Sequence, residues 1–123
     1  MTYNIFLENK KIGNSNLEKS DIPMGVAFGK INFIEKTMNY IFFSNYCKIN
    51  SIKTEEDPEH QFISTQTIPN LKVYNEKGIE IKGVGCYIVG MDSEEFEINI
   101  IGISFPFYEE EFPHHVNAYR QIN

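Results

Sequence analysis

The chain has 123 residues, the length of one ordinary domain, and its 41% hydrophobic and 14% aromatic content is enough for a core without disulfide staples. Its 17 acidic and 11 basic residues give a formal charge of -6, and no cluster of Lys and Arg forms the basic face typical of a nucleic-acid binder. We therefore expect a single domain over residues 1–123, no direct nucleic-acid partner, and a preference for basic partners.

The apolar stretches, the N-terminus and the two cysteines indicate the cellular location. No stretch is apolar and long enough to span a bilayer, and the N-terminus lacks the basic and then apolar regions of a signal peptide. Cys47 and Cys86 lie in apolar surroundings and form no CxxC motif, so we expect two reduced, buried thiols. These features predict a cytoplasmic protein with no membrane partner.

The first half of the chain predicts strands followed by a helix. Tyr3–Leu7 and Lys11–Gly13 are typical of a strand and its return strand, and Asn14–Pro23 is polar and irregular. A further strand is expected within Gly25–Ile34, where polarity begins to alternate at Phe28. Apolar residues then recur at spacings of one, three and four, which predicts one main amphipathic helix over Lys36–Asn50.

The second half predicts antiparallel strands and a short helical tail. Lys53–His60 is polar, contains Pro58, and is expected to be an exposed loop. Further strands are expected at Phe62–Ile68, Leu71–Tyr74, Ile79–Ile81, Gly83–Val89 and over the alternating residues Phe96 to Ile100. Tyr108–Tyr119 predicts short helical turns interrupted by Pro113. This order favours an α+β fold in which a curved antiparallel sheet packs against one main helix.

The three histidines are the candidates for chemistry. His60, His114 and His115 each lie near carboxylates, but no GxSxG or related context surrounds a serine, and adjacent histidines point in different directions on a regular element. We therefore expect no catalytic site, no metal and no cofactor. The alternatives are a small hydrolase-like enzyme that uses these histidines with carboxylates, and a non-catalytic ligand-binding domain.

The late part of the chain is the candidate binding surface. Glu109–Glu111 lies between aromatic residues, and rings beside carboxylates suit a protein interface. In the alternative, which the pattern leaves equally open, these rings dock the tail onto the sheet. The predicted partner-binding residues are Glu94, Glu95, Tyr108, Glu109, Glu110, Glu111, Phe112, His114, His115 and Tyr119.

Three stretches together resemble a known family. Leu17–Ile31, Gln61–Gln66 and Gly102–Val116, which includes Ser104-Phe105-Pro106-Phe107, are similar to immunity proteins of contact-dependent growth inhibition and other polymorphic toxin systems. The resemblance implies a bacterial protein that binds and neutralises a cognate toxin C-terminal domain delivered by a neighbouring cell. Many such toxins are nucleases, so a basic nuclease domain is the expected partner, and no cofactor is implied.

Overall fold

The computed structural model describes residues 1–122, and these form ten strands and three helices. The strands are β1 (Tyr3–Leu7), β2 (Lys10–Ser15), β3 (Lys19–Asp21), β4 (Val26–Lys30), β5 (Asn32–Phe33), β6 (Thr54–Asp57), β7 (Phe62–Thr65), β8 (Leu71–Tyr74), β9 (Gly85–Met91) and β10 (Phe96–Ile101). The helices are α1 (Tyr40–Ile49), α2 (Phe107–Glu111) and α3 (Pro113–Ile122).

The strands form two antiparallel sheets with one core between them. The four-stranded sheet has the order β5-β2-β1-β8, and the six-stranded sheet has the order β3-β4-β10-β9-β7-β6. Alternate residues of each sheet, such as Ile5 in β1 and Ile98 in β10, belong to one buried hydrophobic cluster. The predicted α+β fold is confirmed, and its strands divide between two sheets.

Helix α1 begins later than the sequence pattern predicts. The side chain of Asn39 accepts a hydrogen bond from the Phe42 amide at 3.1 Å, so Asn39 is the N-cap and the helix starts at Tyr40 rather than at Lys36. Its Phe43 packs into the core, with ring centroids 5.9 Å from Phe33 and 5.7 Å from Phe96. The helix therefore packs by an aromatic face against both sheets.

Several predicted segments differ in detail. Lys53–His60 is not only a loop, because it contains the edge strand β6, whose charged residues pair with β7. The segment predicted to be irregular, Asn14–Pro23, contains β3, and Gly25–Ile34 divides into β4 and β5. Ile79–Ile81 forms no strand, and its pairing is a single bridge between Glu80 and Tyr74. The short charged strands β3 and β6 lack the apolar alternation that reveals a strand in a sequence.

The C-terminal segment is helical, as predicted, with α2 ending just before Pro113 and α3 beginning at it. Tyr108 of α2 and Phe112 between the helices are completely buried, and Val116 of α3 is 3% exposed. Within residues 1–122 no helix combines the length and the apolar character that a membrane span requires.

Candidate protein-binding surface

Three of the predicted partner-binding residues are buried. Tyr108 and Phe112 are four residues apart, which places both on the face of the helical segment that packs on the core. The Tyr108 hydroxyl donates to the Val26 carbonyl at 2.8 Å, and burial raises the pKa of Tyr108 to about 12. His115 is 8% exposed, and its Nε2 donates to the Leu17 carbonyl at 2.8 Å. These three residues hold the tail on the sheet, which is the second of the two alternatives that the sequence left open.

The acidic run of the tail is largely engaged within the protein. Glu109 forms an ion pair with Arg120 at 2.9 Å. Glu111 accepts hydrogen bonds from the Tyr3 hydroxyl and from Asn75 Nδ2, each at 3.0 Å, and burial together with the Glu111 carboxylate raises the pKa of Tyr3. Glu110 is exposed, as are His114 and Tyr119. Of the three glutamates, Glu110 alone has a carboxylate that forms no ion pair or hydrogen bond with another residue in the described part of the chain, residues 1–122.

The three histidines occupy two different places. The rings of His114 and His115 lie 4.2 Å apart in α3, and burial, followed by the neighbouring His115, lowers the pKa of His114. His60 lies in the β6–β7 turn, where its Nδ1 is 2.7 Å from Asp57 Oδ2. Asp57, Glu59 and His60 offer metal-ligand atoms within 4.8 Å of one another, and all three are solvent-exposed. The enzyme alternative, in which His60, His114 or His115 acts with a carboxylate, requires a histidine and an acid to meet in a deep pocket, whereas His60 and Asp57 meet on the exposed surface.

The predicted residues Glu94 and Glu95 lie far from the rest of the predicted site. They precede β10, whereas α2 follows it, and a strand of six residues separates the two by about 17–20 Å. Their neighbour is instead the β6–β7 turn. Phe62 pairs with Met91, and the Asp92 amide donates to the Gln61 carbonyl at 3.2 Å. The β6–β7 and β9–β10 turns therefore lie side by side at one end of the six-stranded sheet.

These two turns together form a strongly negative surface, here named the acidic end: Glu55, Asp57, Glu59, Glu94 and Glu95. All five are exposed, and neither residues 54–62 nor residues 91–97 contain a lysine or an arginine. The hydrogen bond from His60 lowers the pKa of Asp57, so this carboxylate is ionised at neutral pH. A long ion pair of 3.9 Å connects Glu95 to Lys30 of β4. The acidic end thus presents five exposed carboxylates, of which Asp57 is paired with His60 and Glu95 with Lys30.

The side of the six-stranded sheet that faces away from the core continues from the acidic end. Its apolar residues, such as Phe28 in β4 and Tyr87 in β9, are half-buried, whereas their strand neighbours Ala27 and Ile88 are completely buried. The outer face, as named here, includes Val26, Phe28, Phe62, Tyr87, Val89, Met91, Asn99 and Ile101, together with the charged Glu97. Phe62 and Met91 lie at the end nearest the acidic turns, so apolar area and negative charge adjoin.

An open groove of about 610 Å³ lies at the other end of the outer face. Its floor belongs to β4, β9 and β10, one wall is α3, and the opposite wall is β3 with the turn that follows it. The lining includes two residues predicted to bind a partner, His115 and Tyr119. The remaining lining residues that matter here, Asp21, Phe28, Tyr87 and Asn99, were not singled out from the sequence.

Sequence reasoning missed these residues because they are scattered along the chain. The alternation of Glu97 and Asn99 with apolar residues predicts a strand with one polar face, and the structure has that face. Nothing local indicates that Phe28 and Tyr87 flank the same strand, because the pairing of β10 with both β4 and β9 joins distant segments. Comparison with protein families, with curated proteins and with solved structures found no match.

Proposed function

We propose that this protein is a bacterial immunity protein of the contact-dependent growth inhibition or polymorphic toxin type, which binds and neutralises a cognate toxin C-terminal domain. The expected partner is a basic protein domain, with nuclease activity as the expected toxic function. The protein acts in the cytoplasm of the cell that it protects, by binding rather than by chemistry, and it needs no cofactor.

The observation that carries this proposal is the convergence of the β6–β7 and β9–β10 turns into the acidic end. Exposed carboxylates that lie within about 10 Å of one another act together on an approaching charge at physiological salt. Such a field accelerates the association of a basic partner by about 10- to 1000-fold. A nuclease domain presents a basic surface to its phosphate substrate, so it matches this charge.

The outer face supplies the apolar contact area that charge alone does not provide. Protein interfaces combine a desolvated apolar centre with a polar rim, and each partner contributes about 800 Å² in a standard interface. The outer face has this composition: Phe62 lies opposite the charged residue Asp57, Val89 lies opposite Glu97, and Tyr87 follows Val89 on the same face of β9. Aromatic residues at such a centre carry a large share of binding energy.

Co-expression with the toxin domain encoded by the neighbouring gene tests the proposal. We expect the two proteins to co-purify and the toxin's activity to be blocked at one equivalent of inhibitor. The dissociation constant should be nanomolar or tighter, about -12 kcal/mol, and the association rate should fall as salt is added. A neighbouring gene that encodes no toxin-like domain, or a toxin domain that forms no complex, would overturn it.

A further inference from the structure

The floor of the groove is a row of three side chains on adjacent strands. Asn99 of β10 lies opposite Phe28 of β4 on one side and opposite Tyr87 of β9 on the other. Directly opposed residues of antiparallel strands project from the same face of a sheet. An amide is therefore flanked by two aromatic rings at the bottom of the groove, and Asn99 is only 8% exposed there.

The wall opposite α3 is held rigidly by the turn between β3 and β4. Gly25 has a φ of +65°, and a Cβ at this position would lie 2.7 Å from the Ile103 carbonyl oxygen. The Ile103 amide donates to the Gly25 carbonyl at 2.9 Å, and Asp21 Oδ1 accepts from the Met24 amide at 3.3 Å. The turn is thus fixed at both ends, and the Asp21 carboxylate is positioned at the groove.

The groove is suited to a cation. Asp21 is its one carboxylate, and no lysine or arginine lines it in the part of the chain that the structure describes. A cation of the protein itself already lies beside the floor, because Lys19 Nζ is 5.8 Å from the centroid of the Phe28 ring. The same Lys19 Nζ forms an ion pair with Glu97 Oε2 at 2.8 Å. The Phe28 ring thus already lies beside one cation, whose charge is paired with the Glu97 carboxylate.

The geometry points to an arginine side chain of the toxin domain as the occupant of this groove. The toxin domain is the source of that arginine only under the proposed function, on which this inference rests. A guanidinium is planar and stacks on aromatic faces such as those of Phe28 and Tyr87. Its N–H donors suit a carboxylate such as that of Asp21. A lysine ammonium, a compact point charge, does not stack on rings in this way.

Titration of the full chain with N-acetyl-arginine amide, followed by amide NMR shifts, tests the groove without the toxin. We expect shift changes centred on Asp21, Asn99 and α3, and about fivefold weaker binding of N-acetyl-lysine amide. Asp21→Asn should weaken arginine binding about threefold, because the neutral amide removes the charge but keeps an acceptor for the Met24 amide. Glu110→Gln, which removes an exposed carboxylate outside the groove, is the matched control and should change nothing.

Three results of this titration would overturn the inference. The arginine probe could change amide shifts only on other surfaces, or the lysine probe could bind as tightly as the arginine probe. Adenosine could also bind in the groove while the arginine probe causes no shift changes. The last result would assign the groove to a free heterocyclic ligand.

The complex provides the second arm of the test. Asp21→Asn should raise the dissociation rate from the toxin domain about tenfold at an unchanged melting temperature. If the complex forms and Asp21→Asn leaves this rate unchanged, the groove inference fails while the proposed function stands. If no complex forms, the proposed function fails, and the arginine titration alone decides whether the groove binds a guanidinium.

Discussion

Two acidic segments of similar composition have different surroundings in this structure. In the tail, Glu109–Glu111 lies between rings that are buried in the core, and two of its carboxylates are held by Arg120, Tyr3 and Asn75. At the acidic end, the carboxylates of two adjacent turns point into solvent beside the half-buried Phe62. Acidic residues beside aromatic rings therefore do not by themselves predict an interface, because the same pattern also docks a helix.

The difference arises from the spacing of the rings. Tyr108 and Phe112 are four residues apart in a helical segment, so both face the core and the glutamates between them project along the flank. In the hairpins, side chains alternate between the two faces of the sheet. Glu56 thus projects inward to accept from the Tyr40 hydroxyl at 2.7 Å, while Glu55 and Asp57 project outward. The function of the tail carboxylates is mainly structural.

The largest expected effect comes from removing the ring that anchors the tail. Phe112→Ala should lower the free energy of unfolding by about 3–5 kcal/mol, because it leaves a cavity beside Tyr3 and Tyr108. Denaturant unfolding measures this loss. Phe105→Ala is the matched control: its ring is 49% exposed and should matter by less than about 1 kcal/mol. Equal small losses in both variants would place the tail rings outside the core.

Alkaline pH should loosen the same anchor. Burial raises the pKa of Tyr108 from 10.0 to about 12, so the neutral phenol is the stabilised form. The contribution of the neutral Tyr108 phenol to the free energy of unfolding is complete below pH 10. It is lost as the pH rises towards 12, and the loss is at most about 3 kcal/mol. Unfolding curves at pH 9 and pH 11 measure the loss. Tyr108→Phe, which cannot ionise, should lose less stability over this range, and parallel profiles of the two proteins would contradict the assignment.

A smaller effect separates the two neighbouring glutamates of the tail. Glu111→Gln should destabilise the protein by about 1–2 kcal/mol, because one amide oxygen replaces the two carboxylate oxygens that accept from Tyr3 and Asn75. Glu110→Gln, at an exposed position, should stay within about 0.5 kcal/mol of the wild type. Thermal or denaturant unfolding compares them, and an equal effect at both positions would remove the structural role of Glu111.

The sequence predicted the parts of this fold that depend on local patterns. The 3.6-residue period revealed α1, alternation revealed β10, and Pro113 marked the break between α2 and α3. It did not reveal which turns meet, because the pairing of Phe62 with Met91 joins segments that are distant in the chain. Glu94 and Glu95 were therefore grouped with the tail, although the turn that contains them adjoins the β6–β7 turn.

The most direct test of the central claim, that a basic partner docks at the acidic end, compares charge reversal at the two acidic segments. Glu94→Lys with Glu95→Lys changes the net charge as much as Glu109→Lys with Glu110→Lys, and each pair includes one glutamate in an exposed ion pair. Association rates with the toxin domain should be measured at several salt concentrations. We predict that the first pair slows association at least about tenfold and flattens its salt dependence, while the second pair changes both little. The reverse order, or equal effects of the two pairs, would contradict docking at the acidic end.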